Sequence, residues 1–136
     1  MIILSVDYGD SRTGIAVCDK NEILATPVCT INEKYDVTLI EKITEIACNY
    51  NAALIVVGKP LNMDGSEGER AKKCGDFARK LADFSGIECV MKDERMTTVI
   101  AHQSLNRTNT RGQKRKAAVD ALSAQIILQD YIDAKK

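Results

Sequence analysis

The sequence predicts an α/β fold, a mixed five-stranded sheet with helices on both faces in the order β-β-β-α-β-α-β-α. Three observations predict it. The chain opens with two β-branched apolar runs set around a glycine turn, which read as a hairpin. Residues 53–57 (Ala-Leu-Ile-Val-Val) form a short unbroken apolar run, the pattern of a parallel strand covered on both faces. Between and after these runs, apolar residues recur at helical spacing, so helix alternates with strand and crossovers are implied.

Residues 1–6 give the first strand and 14–18 the second, with Gly9 in the turn between them. Asp7 is thereby left projecting at a sheet edge. A third strand covers 23–31, where Pro27 suits an edge position or a bulge. Over 35–49, Val37, Ile40, Ile43 and Ala47 fall at helical spacing with charges on the other side, an amphipathic helix. The parallel strand at 53–57 follows, and then a loop from 58 to 65. Ser66-Glu67-Gly68-Glu69 has the form of a capping box and opens a helix running to Phe84, with Phe77, Leu81 and Phe84 inward. Residues 88–91 make the fifth strand. A short helix over 97–105, a basic loop over 107–116 and a long helix over 116–131 complete the chain.

At 136 residues and 45% hydrophobic content the chain is expected to build one domain, 1–136, around one core. Nineteen basic residues balance nineteen acidic ones, so global charge gives no argument for a polyanionic partner and local clusters must supply it. The five cysteines, at 18, 29, 48, 74 and 89, are odd in number and lack C-x-x-C spacing. They read as buried apolar residues or scattered thiols of a reducing compartment, and zinc is not expected. The start Met-Ile-Ile-Leu-Ser-Val-Asp has no basic n-region and soon meets a carboxylate, so neither a signal peptide nor a membrane span is expected, and a cytoplasmic location is.

Asp7 closes an apolar strand and precedes a glycine turn. A carboxylate there either holds a divalent cation or caps the turn by accepting backbone N–H bonds. Two further acidic sites occur in comparable settings, Asp93-Glu94 at the end of a strand and Asp120 in the first turn of the last helix. Mg²⁺ or Mn²⁺ takes oxygen ligands and keeps several waters, so separated carboxylates on rigid elements suit metal-dependent phosphodiester hydrolysis. The candidate catalytic and metal-binding set is Asp7, Glu94 and Asp120. Asp93 competes with Glu94, because neighbouring strand residues face opposite ways and the register is not readable from sequence. For Asp120 the macrodipole at a helix start is a competing explanation. Its small neighbours Ala117, Ala118, Ala121, Ser123 and Ala124 let this turn approach another backbone closely.

Residues 107–116 carry five positive charges and no negative ones. They form either a solvated loop or a set of phosphate contacts through Arg111, Lys114 and Arg115. Arg95, beside Glu94, can hold a phosphate oxygen or a structural salt bridge. Lys59 and Asn62 lie in a loop that leaves a strand's carboxyl end, where it lines a substrate groove or simply turns the chain. Arg12 and Thr97 complete the candidate nucleic-acid contacts. His102, the only histidine, is assigned no role.

Four motifs now stand in order: Val-Asp-Tyr-Gly-x-x-x-x-Gly-Ile-Ala at the start, Val-Gly-Lys-Pro-Leu-Asn-Met-Asp-Gly-Ser-Glu-Gly at 57–68, Asp-Glu-Arg-Met-Thr-Thr at 93–98 and Val-Asp-Ala-Leu-Ser-Ala at 119–124. Together they resemble the YqgF family, also called RuvX, across essentially the whole chain. The resemblance implies a ribonuclease H-like fold, whose strand and helix order matches the one read above. It also implies that Asp7, Glu94 and Asp120 converge at one end of the sheet. The implied activity is a nuclease that processes the 5′ end of pre-16S ribosomal RNA, with a Holliday junction resolvase acting on branched DNA as the alternative. Ribosomal or transcription partners are implied as well. One departure stands out. Related resolvases carry a glutamate at the end of the central strand, where this chain has Val57-Gly58-Lys59, so its second acid must come from the adjacent strand. Two readings of other classes remain, a nucleic-acid-binding module without hydrolysis and, last, an actin-like ATPase, which would need a second domain. Oligomeric state is not legible.

Overall fold

The computed structural model describes residues 1–60, 68–93 and 112–135, with the backbone alone for 112–119. The elements are β1 (Ile3–Asp7), β2 (Arg12–Cys18), β3 (Ala25–Asn32), α1 (Asp36–Asn49), β4 (Leu54–Lys59), α2 (Glu69–Ser85), β5 (Glu88–Asp93) and α3 (Gly112–Ala134). They build a five-stranded sheet in the order β3-β2-β1-β4-β5. β1, β2 and β3 are antiparallel neighbours, while β4 runs parallel to β1 and β5 parallel to β4. The expected mixed sheet is therefore present, with its parallel half reached by helical crossovers. Pro27 lies on β3, the edge strand, where the register with β2 shifts beside Ala16. Edge and bulge are both realised there, since proline cannot donate to a ladder.

Strand alternation divides the core into two layers. Leu4, Val6, Ile15, Ile55 and Val57 point toward α1 and α2, meeting Leu39, Ile43, Phe77 and Leu81. Ile3, Ala16, Leu54 and Val56 point the other way, onto Ala124, Ile127, Leu128 and Ile132 of α3. Helices thus cover both faces. The first layer includes Tyr8, just past β1, whose ring stacks on Phe77 at 4.1 Å between centroids and whose hydroxyl donates to Asp36 Oδ1 at 2.7 Å. All five cysteines are free thiols. Among the described residues, no helix is long and apolar enough to cross a membrane.

Several expectations need correction. Val37 is 72% exposed, because the buried stripe of α1 is centred on Leu39, Ile40, Ile43 and Ala47 and Val37 falls on its flank. Phe84 is 59% exposed, in the last turn of α2, to one side of the stripe that Phe77 and Leu81 define. The residue capping α2 is Gly68 and no side-chain cap bond forms, so the capping box does not operate as read. The last helix begins at Gly112, so residues 112–116 of the expected basic loop are helical. Asp120 is consequently two turns into α3 and not in its first turn. The short helix over 97–105 and His102 lie outside the described residues.

Candidate active site

The site is organised around the carboxyl end of β1 on the face that α3 covers. Ile3 packs into the α3 layer and Ser5 Oγ donates to the Ala124 carbonyl at 2.6 Å, so alternation places Asp7 on that same face. Across the ladder Asp7 pairs with Gly14. A Cβ on Gly14 would overlap the carbonyl of Asp120 and come within 2.9 Å of Ala121 N. The backbone of α3 therefore sits directly on the bare position beside Asp7, and Asp120 is carried to the same sheet end. Small residues permit the approach, as the run of alanines and serine suggests: Ser123 and Ala124 are fully buried. The turn after β1 has a similar constraint, since a Cβ on Gly9 would overlap the Arg12 carbonyl.

Asp120 is tied to Arg12, whose Nε donates to Oδ2 at 2.9 Å. The carboxylate side chain is 17% exposed and the guanidinium 37%, so the pair stands at the edge of solvent. Its position two turns into α3 removes the macrodipole explanation, whose influence is confined to the first turn. One turn beyond Asp120, the buried Ser123 Oγ has no hydrogen-bond partner among the described residues.

On the other side of Asp7 the parallel ladder pairs Val6 with Val57, so the next residue of β4, Gly58, is its neighbour. Gly58 in turn pairs with Lys92 of β5. Val90 packs against the α3 layer, whereas Cys89 and Met91 pack against the α1 and α2 layer. Counting on by alternation, Lys92 shares the face of Asp7 and Asp93 takes the opposite one. Lys59, which pairs with Asp93, goes with it. The row Gly14, Asp7, Gly58, Lys92 thus crosses four strands with side chains only at Asp7 and Lys92. Lys92 was missed in the sequence because β5 was expected to stop at Met91, two residues short of its end.

The structure brings together Asp7, Asp120 and Arg12, and sets Asp93 and Lys59 on the opposite face. Lys114 and Arg115 belong to α3, but their side chains are outside the described residues, as are Glu94, Asn62, Arg95, Thr97 and Arg111. Among the described residues, no three His, Cys, Asp or Glu side chains form a metal-binding group. The donor set nonetheless suits a hard cation. Two carboxylates on rigid elements are brought to one sheet end by the close approach of α3 to Gly14, and an orphaned hydroxyl, Ser123 Oγ, lies one turn beyond Asp120.

A mixed sheet of this order, with an acid ending its first strand and another on the helix packed against it, defines a ribonuclease H-like protein. The family model described as "RuvX: Holliday junction resolvase" matches residues 1–134, and the chain belongs to that family, also known as YqgF. Similar curated relatives carry the name "Putative pre-16S rRNA nuclease". The one from Ruminiclostridium cellulolyticum is 37% identical over 134 residues, covering 98% of this chain and 94% of the relative. The one from Agathobacter rectalis is 40% identical over 136 residues, covering 98% and 95%. Among solved structures, Thermus thermophilus RuvC in complex with a Holliday junction substrate aligns with a TM-score of 0.59 at 14% identity, covering 99% of this chain and 95% of that one. Fowlpox virus resolvase with Holliday junction DNA gives 0.57 at 13%, covering 99% of both. At such identities the likeness is one of fold.

Proposed function

We propose that this chain is a nuclease that hydrolyses phosphodiester bonds in structured nucleic acid with Mg²⁺ or Mn²⁺, and that its substrate is the 5′ end of pre-16S ribosomal RNA. The observation that carries the reading is the seating of Asp120 on Gly14, directly beside Asp7, in a chain of the RuvX family. The names borne by its relatives favour the ribosomal substrate. The reading puts the protein in the cytoplasm, alongside ribosomal partners, as a single domain.

Asp7, Asp120 and Glu94 would hold the cation, Glu94 being preferred to Asp93, which takes the face opposite Asp7. When bound, the ion supplies positive charge to the attacking and leaving oxygens of an in-line displacement. Lys92, across the side-chain-free Gly58, would take a non-bridging phosphate oxygen and so orient the scissile group. Arg12 holds Asp120 through Nε, and an arginine has further N–H donors in its fork for a phosphate. Arg111, Lys114 and Arg115, ahead of Asp120 in the chain, would track the backbone of the polynucleotide. Asn62, Arg95 and Thr97 would contact it from the neighbouring loops, as Lys59 would from the far side of the sheet.

The test is incubation with Mg²⁺ or Mn²⁺ of labelled pre-16S 5′ fragment, single-stranded RNA and four-way DNA junction, with Asp7→Asn alongside. Cleavage of the ribosomal precursor by the wild type, with loss of cleavage but retained binding in the variant, is expected. Preferential cutting of the junction would make resolvase the activity. All substrates left intact by both proteins would leave a non-catalytic binding module.

A further inference from the structure

At the sheet end that carries Asp7, beyond the ion pair, lies a cavity of 360 Å³ lined by Ser11, Arg12, Asn32, Glu33, Lys34 and Tyr35. The proposed chemistry uses only Arg12 of these. A second cavity of 450 Å³, lined in part by Tyr8, Asp10 and Lys73, shares Lys34 and Tyr35 with the first, so this dipeptide forms the wall between them. Tyr35 is 73% exposed, whereas Tyr8 and Phe77 are buried in the core layer.

The ring stands on an ordered support. Glu33 N donates to the Ser11 carbonyl at 3.0 Å, and Glu33 Oε2 accepts from the backbone N–H groups of Lys34 at 3.1 Å and Tyr35 at 3.3 Å. Lys42 Nζ holds the other carboxylate oxygen at 3.2 Å. These bonds, the Tyr35 N–H first and then Lys42, keep the Glu33 carboxyl below its ordinary range, so it stays ionised at neutral pH. The acids near the ring have partners: Glu33 has Lys42, Asp36 the Tyr8 hydroxyl, and Asp10 both Arg70 and Lys73. The Lys34 ammonium forms no ion pair among the described residues. Arg12 and Asn32 are directly paired across β2 and β3, and Arg12 reaches Asp120, so the cavity adjoins the candidate active site.

Resting on the nuclease reading above, we infer that this cavity binds one unpaired nucleotide of the substrate strand, its base stacked on the Tyr35 ring, its edge met by Asn32 and its phosphate by Lys34 and Arg12. An exposed ring beside cations is the arrangement that single-stranded nucleic acid uses, because every base has a stacking face. A continuous duplex keeps its bases stacked on one another and cannot offer one. The volume falls within the range of small-ligand sites, which begins at about 300 Å³. The site therefore selects substrates with an unpaired base next to the cleaved bond.

The probe is a fluorescent single-stranded RNA oligonucleotide, with an RNA duplex as comparison, titrated in EDTA into wild type, Tyr35→Ala, Tyr35→Phe and Lys34→Ala. Tyr35→Ala is expected to weaken single-strand binding about ten- to a hundredfold, to leave duplex binding unchanged and to leave the salt dependence intact. Tyr35→Phe should bind as the wild type does, and Lys34→Ala should reduce the salt slope by about one. Single-strand affinity of Tyr35→Ala within twofold of wild type overturns the inference, as does equal loss on duplex, an equal loss in Tyr35→Phe or a wild type that binds no single strand. The nuclease reading fails separately, in the metal-dependent cleavage assay with Asp7→Asn, which this titration does not involve.

Discussion

Gly14 and Asp120 share one space: the carbonyl of Asp120 on α3 occupies the position where a Cβ of residue 14 on β2 would stand. Because Gly14 is the ladder partner of Asp7, this contact fixes the separation of two acids 113 positions apart in the chain. Gly14→Ala must push the helix off the sheet. Overpacking of this kind costs about 1–3 kcal/mol, and displacement of a catalytic group by about 1 Å can cost a hundredfold in rate. The expected result is a lowered melting temperature together with a disproportionate loss of cleavage. Wild-type cleavage in Gly14→Ala would show that the spacing is immaterial.

Arg12 holds the Asp120 carboxylate, for which a divalent cation would have to compete on the proposed reading. Removing the guanidinium removes a positive charge beside that ligand, so Arg12→Ala should bind Mn²⁺ about two- to tenfold more tightly without nucleic acid, while binding nucleic acid more weakly. Calorimetry and an oligonucleotide titration read the two effects. Unchanged or weaker Mn²⁺ binding would contradict the competition.

Lys92 and Lys59 are both cations near the ends of neighbouring strands, but they face opposite sides of the sheet. Lys92→Ala is expected to lower kcat/KM about tenfold or more, as loss of a charged hydrogen bond at the scissile phosphate would. Lys59→Ala should cost clearly less. Equal effects would mean that the sheet face does not decide phosphate contact.

Several exposed acids contribute to stability at low pH. Asp10 is held below the ordinary carboxylate range by Lys73 and Arg70, Glu22 by Lys135 and the N-terminal amine, and Asp19 by the backbone N–H groups of Leu24 and Ile23. Each folded pKa is depressed, so its stabilisation is complete above the unfolded value of about 4 and is lost as pH falls through the folded one. The melting temperature should be flat between about pH 5 and 7 and fall below about pH 4. A flat profile down to about pH 3 would contradict these assignments.

Most of the architecture could be read from periodicity, because the apolar strands and helix stripes are dictated by which faces must be buried. Asp7 at a strand end and the small residues that let α3 approach were legible for the same reason. The start of α3 was not: Gly112 to Lys116 reads as a charged loop, and only the helix that continues through it moves Asp120 two turns inward. The face that Asp93 takes required register, which Val90 and Met91 reveal only through the layers they pack against. Tyr35 carries no motif signal in the sequence, and only its exposure beside the cavity marks it. Val37 and Phe84 were misplaced because spacing alone does not locate the centre of a buried stripe.

On the proposed reading Asp7, Glu94 and Asp120 together hold one hard cation. Calorimetric titration of Mn²⁺ into the wild type, Asp7→Asn, Glu94→Gln and Asp120→Asn tests it most directly. Saturable uptake by the wild type and its loss in each of the three variants is the predicted result. Wild-type uptake in any one of them would remove that residue from the site and contradict the account.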